Sequence, residues 1–187
     1  MQKKSIIITA LVLVVAVVGI LLFSGLNNNS ASSKLKSEND LKKMMNSIAK
    51  NSDNLPSLET ISVDASDKEL VSSFTGLKDN SNVLYVVVSE PLISSQAFSA
   101  VAVKVKAGSD IEAMKKEMLE NIDVRKWICV TAEKVYVTNN EDVIFLVMAD
   151  GDWAKEFYQG FSKYVDNKIG KTLEKTTEEA ELPPVIG

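Results

Sequence analysis

Residues 83–106 read VLYVVVSEPLISSQAFSAVAVKVK and carry the strongest signal for the fold. Residues 83–88 form a continuous apolar run rich in β-branched side chains, which predicts a strand buried on both faces. Residues 100–106 alternate valine with alanine and lysine, which predicts a second strand with one face in water. The long polar connection between them predicts a β-hairpin.

The same order of elements repeats further along the chain. Ser109 followed by Glu112 forms a capping box, and an apolar face at helical spacing comes after it. Residues 134–138 then alternate, residues 143–148 are again continuously apolar, and together they predict a second pair of strands. Asp152 can cap a closing helix.

Two consecutive strand-strand-helix units predict an α+β fold. We expect a four-stranded, mainly antiparallel sheet with both helices on one face, because each helix needs an apolar surface and the sheet offers one. The two wholly apolar strands are expected at the centre and the two alternating strands at the edges. This domain is expected to span residues 55–170. An acidic, solvated tail is expected at residues 171–187.

The first residues of the chain predict a membrane segment. Residues 6–23 form an apolar run that follows Lys3 and Lys4, and at about 1.5 Å per residue it is long enough to cross most of a bilayer. Residues 1–26 are therefore expected to be a transmembrane anchor or an uncleaved signal. A polar spacer and a short amphipathic helix are expected at residues 27–54.

The two N-terminal lysines place the amino terminus in the cytoplasm and the body outside it, according to the positive-inside rule. The expected location is the cell membrane, with a single crossing and the membrane contact made by the N-terminal helix. If the signal were cleaved, the body would instead be secreted.

The composition narrows the possible function classes. The chain has 187 residues, no histidine and one cysteine, and its formal net charge is -4. An acidic domain has no extended basic surface for binding the phosphate backbone of a nucleic acid. The lack of histidine removes the commonest general base and the usual nitrogen ligand of zinc. The sequence thus predicts a protein that is not an enzyme and has no cofactor, metal site or nucleic-acid partner.

The most unusual local stretch is NIDVRKWICV, residues 121–130. It holds the only arginine of the chain, Arg125, close to Trp127 and to the only cysteine, Cys129. An arginine beside a tryptophan can bind a carboxylate or phosphate through its planar fork while it stacks on the ring. Alternatively, Trp127 and Cys129 pack inward and Arg125 pairs with Asp123 or a nearby acid. The apolar neighbours of Cys129 predict a buried, poorly ionised thiol.

The long hairpin connection offers a second set of polar side chains. Ser94, Ser95 and Gln96 lie in it and can form a binding rim, since loops on a rigid scaffold often carry binding residues. Together with Arg125 and Trp127 they make up the candidate ligand-binding site.

Three parts of residues 91–148 resemble a known family. PLISSQAFSAVAVKVKAG, NIDVRKWICV and AEKVYVTNNEDVIFLVM are similar to bacterial envelope proteins of the domain-of-unknown-function 4358 type, most specifically at RKWICV. The chain departs from that family in lacking the lipobox cysteine often found there. The resemblance implies an extracytoplasmic bacterial domain and carries no activity or catalytic residue with it.

The sequence therefore predicts a membrane-anchored extracytoplasmic bacterial domain with a non-catalytic binding or interaction role, and an envelope protein as a possible partner. A small-ligand domain that binds anions near Arg125 and Trp127 is the first alternative. A carboxylate- or metal-dependent enzyme that uses Asp150 and Asp152 is the second.

Overall fold

The computed structural model describes residues 34–93 and 95–177. The transmembrane helix predicted at residues 6–23 lies outside these ranges. Within them, every helix is too short or too polar to cross a membrane.

Four helices and six strands make up the described part of the chain, and all strand pairs in its sheet are antiparallel. The helices are α1 Glu38–Lys50, α2 Lys68–Thr75, α3 Ile111–Asn121 and α4 Gly151–Tyr164. The strands are β1 Leu58–Val63, β2 Val83–Pro91, β3 Phe98–Val105, β4 Lys134–Asn140, β5 Val143–Ala149 and β6 Leu173–Thr176.

The prediction of a four-stranded sheet is wrong, because the sheet has six strands in the order β1-β2-β3-β5-β4-β6. The four predicted strands are present as β2 to β5, and β1 and β6 add one edge strand on each side. Strand β6 lies within residues 171–187, which were expected to be a solvated tail. Its four residues are too few to show a period in the sequence, and the strand forms because β4 offers a free edge.

The expected strand positions are also wrong, since the alternating strand β3 is central and lies between β2 and β5. Its lysine, Lys104, is almost fully buried. The Lys104 Nζ donates to the Leu35 carbonyl oxygen at 2.9 Å and to Asp142 Oδ1 at 2.6 Å. With its ammonium hydrogen-bonded and paired, the lysine occupies a position that the alternation assigned to water.

Helices cover both faces of the sheet, which corrects the prediction that both would lie on one face. Helices α2 and α3 pack on the face of Val86 and Val88, while α1 and α4 pack on the face of Val87. The reason lies in the strands themselves, because a continuously apolar strand exposes apolar side chains on both faces and each face needs a cover. The result is a sheet between two helical layers, with one core on each side.

Aspartates cap three of the four described helices. Asp67, Asp110 and Asp150 are the residues that precede α2, α3 and α4, and each side chain accepts a hydrogen bond from a backbone N–H of the first turn. The predicted caps at Ser109 and Asp152 are therefore displaced by one and two residues. Carboxylates at these positions also interact favourably with the positive end of the helix dipole.

The N-terminus of α1 carries a capping box of its own. Ser37 and Asp40 bond reciprocally, so that the Ser37 hydroxyl and backbone N–H both donate to the Asp40 carboxylate. These bonds stabilise the charged form and hold the pKa of Asp40 below its ordinary value. The buried face of α1, which includes Leu41, Met44 and Ile48, belongs to the core on the Val87 side of the sheet. Helix α1 is therefore part of the folded domain, whereas the sequence placed it in a separate segment with the spacer.

Candidate functional site

Six strand ends meet at one end of the sheet. The pairings Leu58 with Pro91, Phe98 with Ala149, and Lys134 with Thr176 place the last residues of β2, β5 and β6 beside the first residues of β1, β3 and β4. We call this the hairpin end, because the β2–β3 hairpin connection, residues 92–97, lies there. The α3–β4 connection, residues 122–133, returns to the sheet at the same end.

Lys126 links the α3–β4 connection to the two strands that flank the hairpin connection. Its Nζ contacts the carboxylate of Glu90 at the end of β2 and donates to Ser99 Oγ in β3 at 3.2 Å. The same ammonium lies 4.9 Å from the ring centroid of Phe74 and 5.5 Å from that of Trp127. The lysine is thus held by an anion, a hydroxyl and two aromatic rings, and it fixes residues 122–133 against the hairpin.

The α3–β4 connection is also fixed by its own backbone. The Ala132 N–H donates to the Val124 carbonyl oxygen at 2.9 Å, and the Glu133 N–H donates to the Ala149 carbonyl oxygen at 2.9 Å. The Arg125 N–H donates to Asp123 Oδ1 at 2.9 Å. Both ends of this loop are therefore anchored, and Ile128 and Cys129 between them are exposed.

The two connections carry the most exposed large apolar side chains of residues 34–93 and 95–177. Leu92 is 70% exposed, Ile93 is 62% exposed and Ile128 is 71% exposed, whereas the other exposed members of this class do not exceed 43%. We call these three residues the hairpin-end surface. Apolar side chains presented by anchored loops are typical of a surface that binds a partner.

The structure brings some predicted site residues together and separates others. Arg125 is exposed and forms no ion pair within the described part of the chain. Trp127 is half-buried against the core under α2 and α3, and the cation beside its ring is that of Lys126. Ser95 is exposed and Gln96 is half-buried. Ser94 lies outside the described residues.

Cys129 is exposed, which contradicts the prediction of a buried thiol. The apolar run around it is a turn and not a strand, and the backbone at Cys129 has a φ of 63°. Such a left-handed residue reverses the chain, so the side chains on either side of it do not alternate between core and water. Ile128 and Cys129 are both turned to the solvent by this reversal.

One of the two carboxylates proposed for a metal or for catalysis caps a helix. Asp150 Oδ1 accepts from the Asp152 N–H at 3.0 Å, and Glu133 Oε2 accepts from the Gly151 N–H at 3.1 Å. No three carboxylate or thiol side chains converge on a possible metal position in residues 34–93 and 95–177. Asp150 therefore stabilises the start of α4, and Asp152 lies in the first turn of that helix.

A groove of about 500 Å³ lies between α1 and α4. Its walls include Ser47, Asn51, Gln159 and Lys163, and its floor is the place where Gly160 meets Ile48. The groove is open to solvent. It is a seam between two packed helices.

The sequence indicated Arg125 and Trp127 as site residues. It did not indicate Lys126 between them or the three apolar residues of the hairpin-end surface. A signal for two of these was present, because Leu92 and Ile93 are consecutive apolar residues in an otherwise polar connection. No signal in the sequence indicated Lys126, because its partners Glu90 and Ser99 lie far from it along the chain.

Comparison with protein-family models, curated proteins and solved structures finds no match to this chain. The resemblance to the domain-of-unknown-function 4358 proteins stays a prediction.

Proposed function

We propose that this protein is a non-catalytic interaction domain that binds another protein through the hairpin-end surface. The observation that carries the proposal is the exposure of Leu92, Ile93 and Ile128 on two loops at one end of the sheet, where Lys126 bonds the second loop to the strands that flank the first. Burying one such side chain fully stabilises a complex by about 1.5–3 kcal/mol before the costs of association. Three such side chains on loops at the same end of the sheet offer a partner apolar surface to bury.

Arg125 defines the chemistry of the partner further. Its guanidinium lies on the same loop as Ile128 and is exposed, so it is free to pair with a carboxylate of the partner. Arginine is enriched among the residues that dominate binding energy, and its planar fork matches a carboxylate. The expected partner therefore presents an apolar patch with an acidic residue at its margin.

The anion-binding alternative has weaker support. The Lys126 ammonium already lies against the ring of Trp127 and is paired with Glu90. A small anion would therefore be bound only by the exposed guanidinium of Arg125. One exposed cation in water gives little binding energy. A protein partner uses the arginine and the apolar side chains together.

Photocrosslinking tests the proposal. A photoreactive phenylalanine analogue at Ile128 is expected to give one discrete adduct with another protein in living cells. The same analogue at Lys116, which is exposed on α3, is the matched control and is expected to give none. An adduct of twice the mass of the chain would show contact between copies instead. The absence of any adduct from position 128 would contradict the proposal.

The location outside the cytoplasm belongs to the proposal and rests on the sequence of the first residues. Since Cys129 is the only cysteine and is exposed, a membrane-impermeant maleimide is expected to label intact bacterial cells that produce the protein. A Cys129→Ser variant is the control and is expected to remain unlabelled. Labelling that requires permeabilised cells would place the domain in the cytoplasm.

A further inference from the structure

We propose that β1 is the interface of a symmetric dimer, in which it pairs in antiparallel orientation with β1 of a second copy of this chain. The two six-stranded sheets then form one continuous sheet across a twofold axis. This interface uses the edge of the sheet and the backbone of β1, so it does not depend on the hairpin-end surface.

Half of the backbone groups of β1 point away from the sheet. The Ser57 carbonyl oxygen accepts from the Leu92 N–H at 3.4 Å, which makes these two residues a hydrogen-bonded pair. Backbone groups of successive residues in an antiparallel pair point to opposite sides of the strand. The outward groups of β1 are therefore those of Leu58, Thr60 and Ser62. In residues 34–93 and 95–177 no hydrogen bond is made to these outward groups.

The two edges of the sheet differ in how well they are protected from further pairing. Edge strands are usually short, charged or interrupted, which prevents another chain from adding to them. Strand β6 has four residues, of which Glu174 and Lys175 are charged. Strand β1 has six residues with no proline and no break in its register, and its only charged residue is Glu59. The edge at β1 is therefore the one open to another strand.

A second copy of β1 fits this edge because the strand is complementary to itself. A twofold axis at Ile61, perpendicular to the sheet, places Ile61 opposite its counterpart and Thr60 opposite Ser62. Ile61 is 43% exposed in the single chain, and this pairing removes both apolar side chains from water. Each pair of Thr60 with Ser62 exchanges both of its backbone hydrogen bonds. Glu59 then stands opposite Val63, so no two charges of β1 oppose each other.

The apolar contact also selects the register. An axis shifted to Thr60 would use the same outward backbone groups, but it would place the side chain of Ile61 opposite that of Glu59. In the Ile61 register the central pair is not hydrogen-bonded, and its two Cα atoms lie about 4.5 Å apart. This separation lies within the range in which a disulfide forms.

Disulfide formation in the full chain tests the interface and its register. With Cys129→Ser as background, Ile61→Cys is expected to give a non-reduced band at twice the chain mass of 20.4 kDa. Glu59→Cys on the same strand is expected to give none, because the two copies of position 59 would lie about 13 Å apart along the strands. Leu70→Cys on α2, where Leu70 is also 43% exposed, is the matched control and is expected to give none.

A charge at the twofold axis separates the dimer from the fold. Ile61→Lys places two ammonium groups opposite each other and is expected to convert the native chain from dimer to monomer in sedimentation equilibrium. Leu70→Lys is expected to leave the dimer intact, and circular dichroism of both variants is expected to match that of the native chain.

A native chain that sediments only as a monomer, or disulfides of equal yield from positions 61 and 70, would overturn the inference. Neither measurement uses Ile128 or its crosslinked partner, so such a result would leave the test of the proposed function untouched.

Discussion

Replacing Lys115 by methionine is expected to lower the free energy of unfolding by about 3 kcal/mol. Lys115 lies in α3 and is 0% exposed, yet its ammonium has three partners. Its Nζ donates to Asn139 Oδ1 at 2.9 Å and to the Lys171 carbonyl oxygen at 2.6 Å, and it pairs with Glu112 Oε1 at 2.6 Å. This one group joins α3, β4 and the segment that leads into β6.

Methionine suits the test because it keeps the length and the helix propensity of lysine while removing the charge and the donors. Two oxygens, on Asn139 and Lys171, then lose their donor at partly buried positions, and an unsatisfied oxygen there costs up to about 1–3 kcal/mol. Glu112 is mostly exposed and regains water, so its share of the loss is small.

Denaturation in urea measures the effect, and Lys116→Met is the matched control. Lys116 is the next residue of the same helix, its side chain is 72% exposed, and its only ion pair is with Glu120 in the next turn. An exposed pair of this kind contributes about 0.3–0.5 kcal/mol. Equal losses in the two variants would show that the three Lys115 contacts do not stabilise the fold.

Gly76→Ala is expected to lower the free energy of unfolding by about 3 kcal/mol as well. Gly76 ends α2 with a φ of 78°, which strains any residue with a Cβ. A Cβ at this position would lie 2.8 Å from the Ile122 backbone nitrogen and 2.9 Å from the Met118 carbonyl oxygen. These are backbone atoms at the end of α3, so relief of the clash requires α2 and α3 to move apart.

Gly108→Ala separates the strain from the clash. Gly108 has a φ of 83°, but a Cβ there would meet no atom within 4 Å. Its substitution is expected to cost only the conformational strain, about 1 kcal/mol. Thermal or urea unfolding of both variants gives the comparison, and similar losses would mean that the close approach of α2 to α3 adds nothing to stability.

The sequence predicts the central part of the sheet well, because β2 to β5 are long enough to show either alternation or a continuous apolar run. It predicts the edges poorly. Strand β1 follows Pro56 and resembles a connector, and β6 is too short to show a pattern. Both form because the neighbouring strand supplies hydrogen-bond partners, and this depends on contacts distant in the sequence.

The same limit applies to the candidate site. Arg125 and Trp127 stand out by composition, and the structure places their loop at the hairpin end. The pairing of Lys126 with Glu90 joins residues 36 positions apart, and no local pattern predicts it. The exposure of Ile128 and Cys129 depends on the left-handed backbone at Cys129, and an apolar run in the sequence does not predict such a backbone conformation.

If the hairpin-end surface binds another protein, the crosslinking yield from position 128 depends on its neighbours. We expect a discrete heterologous adduct in cells that is lost when Leu92→Asp is added and weakened by Arg125→Glu, with no adduct from position 116. Adducts of equal yield from positions 128 and 116, or an adduct at 128 that is unaffected by both substitutions, would contradict it.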